Sequence, residues 1–217
     1  MCSPTPGDAP ARATIPAPLR ARSGSEIRTH YPRTRHEAMA ITAQEAWTTA
    51  RGGRPGDLPV DVPPFVSEVV EEIAFHARRD QHGDRRSGVS QRLPITTLES
   101  VVSNAERRAL VTGEPAVVPR ISDILAALPA LTGKLELEYE GELKGAEAVA
   151  LEIIRQAIAT VFDGYGANID QRPIIGWFND GGTLDLSDLS SSEGLLAATG
   201  SITGMGAAAE ALGCGHG

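Results

Sequence analysis

PFVSEVVEEIAFHARRD, residues 64 to 80, spaces Val66, Val69, Val70, Ile73 and Ala77 three and four residues apart, which places them on one stripe of an α-helix. An apolar stripe of this kind must be covered by another element. The same period returns in Leu98, Val101, Val102, Ala105 and Ala109, and AEAVALEIIRQAIATVFDGY, residues 146 to 165, predicts a further long helix. Several helices with one apolar face each predict a mostly α fold in which they cover one another.

The intervening text sets the limits of these helices. HEAMAITAQEAWTTA, residues 36 to 50, is rich in helix formers and puts Met39 and Trp47 near one face. GGRPGDLPVDVPP, residues 52 to 64, and DQHGDRRSG, residues 80 to 88, read as connectors. Pro94 and Thr96-x-x-Glu99, a capping-box pattern, announce the helix that carries Leu98 to Ala109. RISDILAALPAL predicts a shorter helix with Ile121, Ile124, Leu125 and Leu128 on its buried side. Two stretches alternate instead: SEIRTHYP, ending at Pro32, and KLELEYEGE, residues 134 to 142, where Leu135, Leu137 and Tyr139 predict a strand. Beyond Tyr165 the sequence predicts a short helix, a turn through GGTLDLSD and another short helix. The organisation expected is an edge without regular structure over 1–18, a short lead-in over 19–33, a helical domain over 34–132, a small α+β or helical extension over 133–200 and a disordered tail over 201–217.

Composition narrows the function classes. A net charge of −8 opposes whole-surface attraction to nucleic acid or anionic membrane, so any anion site must be local. Cys2 and Cys214 stand at opposite ends in Gly/Pro/Ser-rich text and make neither a disulfide framework nor a four-ligand zinc site. With no long apolar run and no apolar leader near the N-terminus, a cytoplasmic protein without a membrane span is expected. The only lysines are Lys134 and Lys144, and neither stands in G-x-x-x-x-G-K-[ST]: Leu128 occupies the place of the first glycine and Leu135 follows Lys134. No P-loop occurs in these residues, nor an apolar strand ending in the acidic pair that would hold Mg²⁺.

Among candidate site residues, Arg92 stands out. Gly88-Val89-Ser90-Gln91 allows a tight backbone approach just before it, and a guanidinium fork suits phosphate oxygens. The ordinary alternative is a solvated charge. His30, His36, His76 and His82 lack metal-ligand spacing, so no metal site is assigned. The doublets Arg78-Arg79, Arg85-Arg86 and Arg107-Arg108 read as solvated helix ends, with a protomer interface or nucleic-acid contact as the other reading. Glu71 and Glu72 are adjacent on a helix, point apart and read as a wet face.

G-V-S-Q-R followed by an apolar helix ending in Glu-Arg-Arg-Ala resembles the sensor-2 region in the lid of AAA+ ATPases of the magnesium-chelatase and MoxR-like branch, and TGEPAVVPRISDI resembles the segment that introduces the lid's next helix. The resemblance implies that Arg92 reaches toward the γ-phosphate of ATP. Upstream, IPAPLRARSGSEIRTHYP resembles the end of the AAA+ core, where L-x-D-R-F precedes a strand and a Y-P turn. This puts Arg22 at the place of the arginine finger, with Ala21 and Ser23 replacing the family's Asp and Phe; a solvated N-terminal arginine is the alternative.

By this resemblance, residues 19–33 are a remnant of the core and residues 34–132 the lid. ATP and Mg²⁺ would be held mainly by residues outside this chain, which is not expected to hydrolyse ATP alone. The implied activity is ATP-dependent remodelling or metal-insertion chaperoning in a ring of AAA+ protomers, alongside a partner with an integrin-like metal-binding domain. The rival reading is a non-catalytic helical interaction or regulatory module that docks on full-length homologues; DNA binding through the arginine doublets is opposed by the acidic balance.

Overall fold

The computed structural model describes residues 22, 30–49, 57–79, 89–133, 145–167 and 169–212. Among these residues the fold is mostly helical, and the single β feature is an isolated parallel bridge between Val60 and Val117. The strand expected over 134–142, most of the one expected over 25–32 and the N-terminal edge lie outside the described residues. Among the described residues no helix is long and apolar enough to cross a membrane.

Helix α1 (Arg35–Glu45) starts at Thr34, whose hydroxyl accepts the Glu37 N–H at 3.2 Å, and it leads into a 3-10 turn at Trp47–Thr49. Helix α2 (Pro64–Arg79) is the centre of the bundle. Its predicted stripe of Val66, Val69, Val70, Ile73 and Ala77 is buried. Helix α3 (Arg92–Thr112) buries Leu98, Val101, Val102, Ala105 and Ala109 as their spacing requires.

Its start differs from the capping-box expectation. The helix begins five residues earlier, at Arg92; Thr96 lies inside it with its hydroxyl on the Arg92 carbonyl at 2.9 Å, and Glu99 instead accepts the Trp47 N–H at 3.2 Å. Pro94 is compatible with this early start, because the first-turn N–H groups of a helix have no intrahelical partner to lose. The helix stops at Gly113, whose φ of 72° lies in the left-handed region that glycine enters without a Cβ penalty.

The single helix expected after Arg120 is two short ones, α4 (Ile121–Leu125) and α5 (Leu128–Thr132), with Pro129 in the first turn of the second. The break turns Leu125 outward, to 44% exposure, and Ala127 and Leu131 take the buried positions in its place. Helix α6 (Ala146–Gly166) then presents Val149, Ala150, Ile153, Ile154, Ala157 and Val161, again three and four apart, and packs along α2. These residues belong to one core with Val66, Val70, Val101 and Ile124. The core therefore crosses the domain boundary expected near Gly133. The reason is geometric: α2 is apolar on more than one side, and α6 covers the side that α1 and α3 leave open.

The last described segment holds α7 (Arg172–Asn179), α8 (Ser192–Gly200) and α9 (Met205–Ala211). The short helix, turn and short helix predicted there are present. The expected disordered tail from 201 is corrected up to Leu212: Ile202 and Ala208 are buried, and Gly204 lies so close to Pro173 that an added Cβ would come within 2.8 Å of the proline ring. Small residues there permit the approach that a composition-based reading took for disorder.

Candidate functional site

The Arg92 turn is assembled from two helices. Ser90 prepares the start of α3, its hydroxyl accepting the Arg92 N–H at 3.2 Å and its carbonyl accepting the Leu93 N–H at 3.0 Å. Arg92 itself is exposed in the first turn. Directly behind it, the last turn of α2 brings in Arg78, whose Nε donates to the Val89 carbonyl at 3.1 Å and whose Nη2 donates to Gln91 Oε1 at 2.9 Å. The other side of that guanidinium lies 4.5 Å from the centre of the Tyr31 ring. Tyr31 of the Y-P turn, Arg78 and the turn before Arg92 are thus one cluster, although they are up to 61 residues apart in sequence.

Beneath this cluster lies Glu71, 1% exposed, where the sequence predicted a wet face. Thr42 of α1 donates its hydroxyl to Glu71 Oε1. Burial pushes the Glu71 carboxyl above the ordinary range, against the Thr42 hydrogen bond, the Arg78 charge and the Gln91 amide, which pull the other way. Burial likewise lowers the Arg78 pKa. A cavity of about 240 Å³, walled mainly by Met39, Ala40, Ala43, Val70 and Leu98, adjoins Thr42 and Glu71.

Glu72 is also buried, at 7%, because basic groups surround it: Arg79 at 2.9 Å, His76 at 3.6 Å and Arg35 at 3.9 Å. Both glutamates were misread for the same reason. A two-sided helix packs its flanks as well as its stripe, and α1 with Arg35 closes over the face that an isolated amphipathic helix would leave wet.

The remaining sequence candidates fall elsewhere. Arg22 is exposed and helical, with its immediate neighbours outside the described residues. His76 Nε2 lies 3.1 Å from Thr160 Oγ1. His82, Arg85 and Arg86 lie outside the described residues.

Arg108 is corrected outright. Read as part of a solvated helix end, it is 1% exposed and the largest fully buried side chain among the described residues. Its Nη1 sits 2.6 Å from both carboxylate oxygens of Asp123 and its Nη2 donates to the Val118 carbonyl at 2.7 Å; Asp123 also accepts from Asn104 at 2.7 Å and from the Arg120 N–H at 2.7 Å. This knot ties α3 to the start of α4. The structure accounts for Arg108 as a packing element, which a doublet in sequence could not distinguish from a surface charge.

In chemical terms, Arg92 is an exposed residue on a turn held from behind. It suits a contact to one phosphate oxygen edge. It does not suit a whole nucleotide with its metal: no P-loop occurs in the sequence, and among the described residues no group of three or more His, Cys, Asp or Glu side chains is placed to hold a cation. Comparison with protein-family models, with curated proteins and with solved structures found no match.

Proposed function

We propose that this chain is the nucleotide-sensing lid portion of a AAA+ ATPase of the magnesium-chelatase or MoxR-like type. In this reading Arg92 contacts the γ-phosphate of ATP bound by core residues outside these 217, and the parent activity is ATP-dependent remodelling or metal-insertion chaperoning in a ring. Arg22 is the proposed finger toward a neighbouring protomer. The observation that carries the reading is the placement of Arg92: exposed, in the first turn of a 21-residue core helix, on a turn that Arg78 fixes through Val89 and Gln91. A sensing arginine needs this combination of reach and a rigid base, since a misplacement of about 1 Å costs on the order of 100-fold in rate.

The test supplies a P-loop core of this type in trans and measures ATP hydrolysis. The chain is expected to raise the rate, and Arg92→Ala is expected to remove the gain while binding to the core persists. A gain untouched by Arg92→Ala would exclude the phosphate role.

One feature favours the second reading, a docking module that makes no use of nucleotide. Helices α7 and α8 bury none of their residues, and Ile175, Phe178 and Leu196 are 53%, 44% and 71% exposed. In that case binding to homologues survives Arg92→Ala and is lost on changing these three residues to serine.

A further inference from the structure

Arg92 occupies the end of a construction that starts two helices away, and the residue that joins its parts is Arg78. Two of its donors reach two acceptors, the Val89 carbonyl at 3.1 Å and Gln91 Oε1 at 2.9 Å, and both acceptors lie within three residues of Arg92. A planar guanidinium can hold two such acceptors at once, whereas a lysine ammonium is a point donor on a flexible stem. The Tyr31 ring, 4.5 Å away, covers the guanidinium, and Glu71 supplies the facing negative charge from the same helix, seven residues earlier.

The cluster is a poor device for stability alone. Arg78 Nη1 is buried without a protein partner, and the Glu71 carboxyl is held there at a desolvation cost that outweighs the Thr42 and Gln91 contacts and the Arg78 charge. Buried polar groups that are incompletely satisfied are costly, and packed apolar side chains at such sites commonly do as well or better. Costly polar groups held at one place point to a geometric duty there.

We propose that Arg78 is the positioning residue of Arg92: its fork fixes the Val89–Gln91 turn from which Arg92 projects, with Glu71 as buried counter-charge and Tyr31 as the ring that seats it. The inference rests on the reading of Arg92 as a phosphate sensor for its consequence in catalysis, but not for the geometry itself. Arg78 touches no nucleotide in this arrangement and acts only through Arg92.

The experiment has two arms on the full chain. In the first, amide hydrogen exchange is compared between the parent and Arg78→Lys, which keeps the charge facing Glu71 and loses the fork. Exchange at Gln91, Arg92 and Leu93 is expected to rise about ten-fold, the loss of one well-made hydrogen bond, while Val69 to Ala74 in α2 stay protected. In the second, the core supplied in trans reads ATP hydrolysis. Arg78→Lys is expected to lower kcat by about ten-fold to 100-fold with little change in KM for ATP, and Arg78→Lys combined with Arg92→Ala is expected to match Arg92→Ala alone.

Unchanged exchange at 91–93, or additive effects in the double variant, would overturn the proposal. Raised exchange together with a rate indifferent to Arg92→Ala would leave the positioning intact and remove the phosphate reading, so the two failures are distinguishable. If Arg78→Lys fails to fold, Gln91→Ala, which deletes one acceptor without touching α2, must produce the same rise in exchange at Arg92 and Leu93.

Discussion

The bundle from His30 to Gly166 and the segment from Ile169 to Leu212 are built from the same kind of element and held by different forces. In the bundle, helices are joined by burial: α6 alone places Val149, Ile153, Ile154 and Val161 in the common core. At about 1.5–3 kcal/mol for each fully buried branched side chain, these four contribute on the order of 10 kcal/mol before chain entropy is subtracted. The later segment buries only Ile202 and Ala208 among its hydrophobic residues. It is tied to the bundle by a polar clasp in which Arg120 donates to the Ser190 carbonyl and the Ser192 hydroxyl, both at 2.8 Å, and Glu114 accepts the Ser192 N–H at 2.6 Å. Hydrogen bonds of this kind give about 1 kcal/mol each, somewhat more where charged. Helices can therefore be specified locally in both regions, but only one region has the buried area to stand as a folding unit.

The largest effect follows from cutting the chain at the two places where this difference is sharpest. A chain ending at Gly133 lacks α6 and leaves the covered side of α2 open, so it is expected to lose cooperative unfolding altogether. A chain ending at Ala167 keeps the whole core and is expected to unfold in one transition close to that of the parent. Urea titration followed by circular dichroism reads both. A cooperative transition in the shorter chain would restore the boundary at Gly133 and undo the comparison.

Next in size is the polar knot within the bundle. Asp123→Ala leaves the Arg108 guanidinium, 1% exposed, without its counter-charge. Removing one partner of a buried pair costs about 3–5 kcal/mol, and the denaturation midpoint is expected to fall accordingly with little change in slope. Asp123→Ala joined to Arg108→Met is expected to recover a large part of the loss, because an apolar chain of similar length suits that site. No recovery would mean that the knot does more than neutralise a buried charge.

The bundle's apolar half was legible in the sequence because periodicity reports directly on which face is covered: Val66 to Ala77 and Leu98 to Ala109 are buried as their spacing requires. Its polar half was not. Glu71, Glu72 and Arg108 carry the residue types of a solvated surface, and their burial depends on Thr42, Arg35 and Asp123, which are 15 to 37 residues away and have no periodic relation to them. The capping pattern at Thr96-x-x-Glu99 misled for a related reason. Its glutamate is engaged by Trp47 from another element, and Ser90 rather than Thr96 serves the first N–H groups of α3. Arg92 was found by its local small-residue context. Arg78 was read only as half of a solvated doublet, although its place seven residues after Glu71, about two helical turns, puts both on one face of α2; that Gln91 and Tyr31 meet it there had no signal in the sequence.

The smallest predicted effect sets one carboxylate of the bundle against one of the clasp. Burial raises the Glu71 pKa above 4.5, so over the pH range from about that value up to the raised one, the folded chain holds a proton that the unfolded chain has released. Stability from this group is therefore present at low pH and declines as pH rises through that window. Glu71→Gln has no such proton, and its stability relative to the parent is expected to improve as pH rises through that window and to level off above it. Glu114 runs the other way. Burial raises its pKa, but the Ser192 N–H and hydroxyl, with Arg120 and Arg108, outweigh that and hold it below 4.5. Its contribution is present above 4.5 and is lost as pH falls through the lowered value. Unfolding of the parent, Glu71→Gln and Glu114→Gln between pH 3 and 8 reads the two slopes, with all other titrating groups cancelling in each difference. Opposite signs are expected: a glutamate sealed under helices gains from its proton, and one bound at a half-open clasp gains from its charge. Equal signs would show that burial in the bundle does not dominate the Arg78 charge at Glu71.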